Sequence, residues 1–254
     1  MNGELFQICR LVTAAKQALR EDAPIQYTPG PYEEATAFVC LPEASRPGAG
    51  PYTAPHVEAW FAHMRQRGLE DVKLLCPVDV PDRNILGFVN ITGSAMICFR
   101  RGGLASAFTG SRHFDSVKKR WSGLYTEQEL SSPPPGKPRF QNPTPTFRQT
   151  LLEIQALAVQ IDCPGFARIF ERARVILDGA VEAPRSAYSL PLPQERCALF
   201  DAADCADVFG AMGSWNDTSP CLAGEKGLSR EYDRLSDALL RQIRLAILYA
   251  VNEW

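Results

Sequence analysis

The sequence predicts an α+β fold: an N-terminal antiparallel β-meander with flanking helices, followed by a C-terminal all-α four-helix region. Three observations predict it. Short β-rich runs bounded by turn residues recur between positions 72 and 125. Apolar residues recur at helical spacing after position 146. Between the two patterns, residues 133–145 hold six prolines in thirteen positions, which neither a helix nor a central strand accepts. The expected plan is therefore an α+β domain over 1–132, a proline-rich connector over 133–145 and a helical domain over 146–254.

Taken in order, Leu5, Ile8, Cys9, Val12, Ala15 and Leu19 form the stripe of a first helix over 4–20. Ala35–Leu41 has the length of a strand, and the Gly/Pro-rich stretch Arg46–Pro55 reads as loop. A second helix carries Val57, Trp60, Phe61 and Met64 on one side and stops near Gly68. Strands are expected at Val72–Val78, Ile85–Ile91 and Ala95–Phe99, with Arg101-Gly102-Gly103 turning into Leu104–Phe108. A further hairpin spans His113–Tyr125 and turns near Asp115–Lys118.

Beyond the connector, Phe147, Leu151, Ile154, Leu157, Ala158 and Ile161 share a face. Phe166, Ile169, Phe170, Ala173 and Ile176 continue after Pro164, a residue suited to a first helical turn, and end at Gly179. A loop with Pro184, Pro191 and Pro193 leads to a third helix over 193–209. The fourth carries Tyr232, Leu235, Leu239, Ile243, Ala246, Ile247 and Ala250. Four such faces can bury a common core.

Composition bounds the function. The chain has 254 residues, 45% of them apolar and 22% charged, so it can bury a substantial core. A net charge of −2 excludes a globally basic nucleic-acid binder. No apolar run approaches the ~18 residues that span a bilayer, and the N-terminus has no uninterrupted apolar stretch of the signal-peptide kind. A soluble cytoplasmic protein without a membrane partner is expected. The eight cysteines lack CxxC spacing and lie largely in apolar patterns, and the three histidines are scattered, so no metal and no cofactor are expected.

Chemistry concentrates at Gly210, Met212, Gly213, Ser214, Trp215, Asn216 and Asp217, between two helical patterns. Glycines there allow a tight backbone, and the polar trio can either cap it locally or face a partner. The expected site is this bend, with its amide and carboxylate groups offered outward to a protein partner. Upstream, Asp201, Asp204 and Asp207 recur every third residue; they suit a metal or acid–base pair, and equally a solvated helix face. Ser94 lacks a GxSxG setting, and neither His63 nor His113 has a partner visible in sequence; Cys40 or Cys98 paired with a histidine is the remaining nucleophile.

The second candidate surface is basic. Residues 100–138 carry 7 Lys/Arg against 3 Asp/Glu, whereas 1–99 carry 8 against 11 and 139–254 carry 12 against 15. Arg100, Arg101, Arg112, Lys118, Lys119, Arg120 and Trp121, with Phe108, Phe114 and Tyr125 interleaved, suit single-stranded nucleic acid on a hairpin. The same residues equally protect hairpin edges.

Residues 145–254 resemble a bacterial helical family of unknown function that shares a glycine-methionine-glycine-serine-x-asparagine-aspartate segment between helices. The matching positions here are Gly210, Met212, Gly213, Ser214, Trp215, Asn216 and Asp217, with Ala211 where glycine is frequent. The whole chain also resembles hypothetical proteins of gut Firmicutes. The resemblance implies an intact helical unit and brings no activity. The expected function is non-enzymatic binding of a macromolecule, of the immunity or accessory type. The alternatives are an enzyme with a carboxylate-lined cleft near Asp217, acting on a small polar substrate, and a binder of single-stranded nucleic acid through residues 100–121.

Overall fold

Asn2 opens the first helix, α1 (Gly3–Arg20), by accepting the Glu4 N–H at 2.9 Å on its side-chain oxygen. In the computed structural model, which describes residues 1–42, 50–80, 82–83, 93–130, 136–181, 189–210 and 212–254, this helix is buried on nearly every side. Its apolar stripe is the one expected, yet Gln7, Arg10, Thr13 and Lys16 are buried too. The reason is position: α1 packs against the sheet and against the last helix at once.

The sheet has six strands: β1 (Glu33–Cys40), β2 (Tyr52–Ala54), β3 (Leu69–Leu75), β4 (Ala95–Arg100), β5 (Leu104–Asp115) and β6 (Arg120–Glu129), in the order β2-β1-β6-β5-β4-β3. Strands β3 to β6 pair consecutively and antiparallel. The sheet as a whole is mixed, because β1 lies parallel to β6 with Phe38 opposite Tyr125. That corrects the wholly antiparallel expectation. A parallel pair needs a long crossover, here everything from β2 to β5, and nothing local in either strand announces it. The expected strand Ile85–Ile91 lies outside the described residues, as do 43–49, 81, Pro133–Pro135, Pro184 and Ala211.

Helix α2 (Val57–Gln66) begins at His56, whose Nδ1 accepts the Ala59 N–H at 3.2 Å. It lays Trp60 on Phe38, stacked at 4.7 Å between ring centroids, and edge-on against Phe108 at 5.8 Å. Phe38 in turn stacks on Tyr125 at 5.3 Å. Offset and edge-on pairs of this kind add about 0.5–1.5 kcal/mol each beyond their burial. Gly110 makes room for Tyr125: a Cβ there would meet the ring at 2.8 Å. Phe108 and Tyr125 are thus interior residues.

The C-terminal part contains α3 (Thr144–Gln160), α4 (Pro164–Leu177), α5 (Gln194–Ala206), α6 (Ser219–Glu225) and α7 (Ser229–Asn252), five helices among the described residues where four were expected. The extra one, α6, is a seven-residue turn around Pro220, too short for a periodic stripe. Gly179, at φ +71°, closes α4 while the Ala180 N–H returns to the Val175 carbonyl at 3.1 Å. One apolar cluster runs without a break from Leu5 of α1 through Phe38 and Tyr125 of the sheet to Phe147, Leu239 and Val251. Among the described residues no helix is long and apolar enough to cross a membrane.

The last turn of α7 is joined to the sheet edge by a side chain acting as a strand. Asn252 accepts the Leu74 N–H at 2.8 Å and donates to the Leu74 carbonyl at 2.9 Å, so the open edge of β3 is paired at that residue. Lys16 and Lys73 both donate to the Asn252 carbonyl at 3.1 Å, placing two ammonium groups at the negative end of the helix. Asn252→Ala should cost about 2–4 kcal/mol in chemical denaturation, since two buried main-chain groups lose their partners together. Asn252→Asp, which keeps the acceptor alone, should fall between. A loss below the noise of the measurement would mean that water replaces the amide.

Candidate functional site

The bend between α5 and α6 is closed from within. Trp215 is fully buried, and its main-chain N–H donates to the Val208 carbonyl at 3.1 Å. Gly213, at φ +79°, donates its N–H to the Asp217 carboxylate. Asn216 donates its N–H to the Ser214 hydroxyl at 3.2 Å, and the Asp217 N–H reaches the Ser214 carbonyl at 3.2 Å. Ser214 and Asp217 thus bond the turn itself, while Gly213 and Asp217 remain exposed, Ser214 and Asn216 half-buried, and Met212 98% exposed. Gly210 is half-buried. Short polar side chains after glycine bond local backbone readily, and here that competition won.

What the bend does is hold a neighbour. Trp215 stacks on Tyr232 at 5.3 Å, meets Phe166 and Phe170 edge-on, and donates its indole N–H to the Ser236 hydroxyl at 2.8 Å. The Tyr232 hydroxyl donates to the Trp215 carbonyl at 2.9 Å. Asn216 extends its side-chain amide to the Arg83 carbonyl at 3.3 Å. The Arg83 guanidinium lies over the Tyr232 ring, 5.8 Å from its centre, and pairs with Asp233 at 3.1 Å and with Asp237. Trp215, Tyr232 and Asn216 together fix Arg83 against α7.

Asp237, one of the two partners of Arg83, also lines a groove of about 320 Å³ together with Val78, Asp79, Val80 and Leu240. Asp79 pairs across it with Arg241. Asp233, Asp237 and Arg241 follow one another at four-residue spacing, which puts them along one face of α7. Arg244, on the turn after Leu240, is only 2% exposed, and neither its Nε nor its Nη1 meets a hydrogen-bond partner among the described residues. Beside it, burial pushes the Cys76 thiol up to about 11, against the lowering influence of that guanidinium. Burial also raises the Asp207 carboxyl above its ordinary value, while the Met1 amine and, after it, Arg244 draw it down.

The three recurring aspartates thus separate. Asp204 is exposed and accepts from the Met1 amine at 3.0 Å, Asp201 is half-buried, and Asp207 feels the charges of both the Met1 amine and Arg244. Neither of the two cysteines singled out as a nucleophile is activated: burial pushes Cys40 up to about 12 and raises Cys98 well above its usual range. Ser94 is buried, and His63 packs at 4.2 Å against the Tyr52 ring. A second groove, of about 230 Å³, is lined by Lys16, Leu19, Arg20, Glu70, Asp71, Lys137 and Trp254, with charges of both signs.

The basic residues do not make one surface. Arg100 and Arg101 lie at the β4–β5 turn, and Lys118, Lys119 and Arg120 at the β5–β6 turn. The twelve residues of β5 separate the two groups by roughly 40 Å. Lys118 pairs with Glu34 at 2.5 Å, and Arg112 lies over the Trp121 ring at 4.9 Å on the face that carries α1. Phe114 meets Trp121 at 4.9 Å, while Phe108 and Tyr125 are fully buried. Phe114, 39% exposed, and the half-buried Trp121 are the aromatics left beside Arg112 and the Lys118–Arg120 turn.

Sequence reasoning missed Arg83, Asp237 and Arg244. The first two had no signal. Arg244 had one: it stands midway between Leu240 and Leu248 on the buried face of α7. Comparison with protein-family models, with curated proteins and with solved structures found no match.

Proposed function

We propose that the chain is a non-enzymatic binding protein of the accessory or immunity type, and that it recognises a protein partner through the charged rim of the α7 groove. The observation that carries this reading is the rim itself. Asp79 and Asp237 line the groove with Val78, Val80 and Leu240, Asp79 pairs with Arg241, and Arg83 pairs with both Asp237 and Asp233. A fixed pattern of both signs suits selection among partners, because a mismatched charge is penalised by several kcal/mol. Its rigid mounting through Trp215 and Asn216 lowers the ordering cost of association. Catalysis is not favoured, since each carboxylate of the groove is already bound to an arginine. The segment that resembles the bacterial helical family is, on this reading, the support of the recognition surface.

The test is affinity capture from cells of the source organism, with wild type against Asp233→Lys/Asp237→Lys. A partner that binds the wild type and loses at least about tenfold in affinity with the reversed rim is expected, with the circular dichroism spectrum unchanged. Equal retention by both forms, or no partner for either, would sink the reading.

A further inference from the structure

The second groove, of about 230 Å³, forms where distant pieces of the chain meet: the last turns of α1, the start of β3, Lys137 of the proline-rich stretch, and Trp254. Most of its charges are already committed. Asp71 accepts the Val72 N–H at 2.8 Å and pairs with Lys16 at 3.6 Å and with Lys137 at 3.4 Å. Lys16 also donates to the Asn252 carbonyl at 3.1 Å. Two charges are left over. Arg20 and Glu70 both line the groove, and neither makes a hydrogen bond or an ion pair among the described residues.

Arg20 is held in place with its donors unused. Its guanidinium lies over the Trp254 ring, 5.1 Å from the centre, and the Lys16 ammonium lies 5.5 Å from the same ring. Stacking engages the flat face of a guanidinium and leaves the N–H donors at its edge open, in the fork that matches the two oxygens of a carboxylate. Glu70 offers the opposite, acceptor oxygens that suit an ammonium group. Unpaired charges on an open surface are ordinary; these two carry opposite signs, line one cavity and do not close on each other. Leu19 and Trp254 add apolar wall. The volume lies below the roughly 300–1,000 Å³ of sites for drug-sized ligands, so the occupant is small.

We infer that this second groove binds a free α-amino acid, with its carboxylate on Arg20 and its ammonium group on Glu70. Both side chains are exposed, and at such positions a single ion pair contributes little, so binding requires both ends at once. The site is separate from the α7 rim and does not rest on partner recognition there: the ligand is small, and reversing Asp233 and Asp237 leaves Arg20 and Glu70 in place.

The experiment titrates the isotope-labelled whole chain with glycine, followed by NMR, and at matched ionic strength with acetate and with methylammonium, which each carry one of glycine's two charges. Glycine is expected to shift the main-chain amides of Arg20 and Glu70 and the indole N–H of Trp254 saturably. Acetate and methylammonium should each bind at least about fivefold more weakly. Arg20→Gln and Glu70→Gln, at exposed positions where such changes leave the fold intact, should each weaken glycine by a similar factor. Asp233→Lys/Asp237→Lys should leave glycine binding unchanged, which separates this site from the rim. Glycine that shifts none of these resonances overturns the site, and so does binding retained in full by either glutamine variant. Acetate or methylammonium that binds as tightly as glycine also overturns it, because one of the two ends would then have no part.

Discussion

Glu127→Ala is expected to destabilise the protein by about 3–5 kcal/mol, the range measured when one member of a buried ion pair is removed. Glu127 lies within the sheet with its side chain fully buried, and its partner Arg67 is 4% exposed. One carboxylate oxygen accepts from the Ser106 hydroxyl at 2.6 Å. The other accepts from Arg67 at 2.6 Å and from the Leu41 N–H at 2.8 Å. Deleting the carboxylate leaves a guanidinium, a hydroxyl and a main-chain N–H without acceptors in a low-dielectric interior. The guanidinium dominates, because its Nε already lacks a partner among the described residues. The cost is that of an uncompensated charge and not the worth of the pair. It follows that Arg67→Met/Glu127→Leu should regain most of the loss. Urea denaturation of the two singles and the double closes the cycle. A double variant no more stable than Glu127→Ala would show that the pair stabilises outright.

That pair illustrates what a single sequence conceals. The alternation of β6 puts Glu127 on the same face as Tyr125, toward the core. A charged residue in an inward register is a readable signal, but its partner lies 60 residues away, just past the end of α2. Local patterns were legible: the stripes of α3 and α4, the Gly179 stop and the tight β5–β6 turn each follow from neighbours in the chain. Non-local pairings were not, so the parallel contact of β1 with β6 and the strand-like role of Asn252 stayed hidden. The site shows the same division. Glycine, serine, asparagine and aspartate announce a tight bend at 210–217, but not which way its polar groups turn. The expected cause is Trp215, which is fully buried and stacked on Tyr232.

Trp215→Ala is the second change expected to have a large effect, and it tests that ordering of causes. Truncating a fully buried tryptophan costs about 3–5 kcal/mol through lost burial and the cavity left behind. Here the cavity opens among Phe166, Phe170 and Tyr232, and the Ser236 hydroxyl, itself fully buried, loses its donor. Trp215→Phe keeps a ring in the same space but not the indole N–H, so it should cost less than the alanine change. Asn216→Ala removes one half-buried hydrogen bond, to the Arg83 carbonyl, and should cost about 1 kcal/mol. If the tryptophan sets the direction of the bend, Trp215→Ala should also free the 210–217 amides for hydrogen exchange and loosen Arg83 from α7, whereas Asn216→Ala should loosen Arg83 alone. Denaturation gives the energies and amide exchange gives the pattern. Equal protection of 210–217 in Trp215→Ala and in the wild type would show that the glycines and Asp217 close the turn unaided, with the tryptophan docking onto a bend already made.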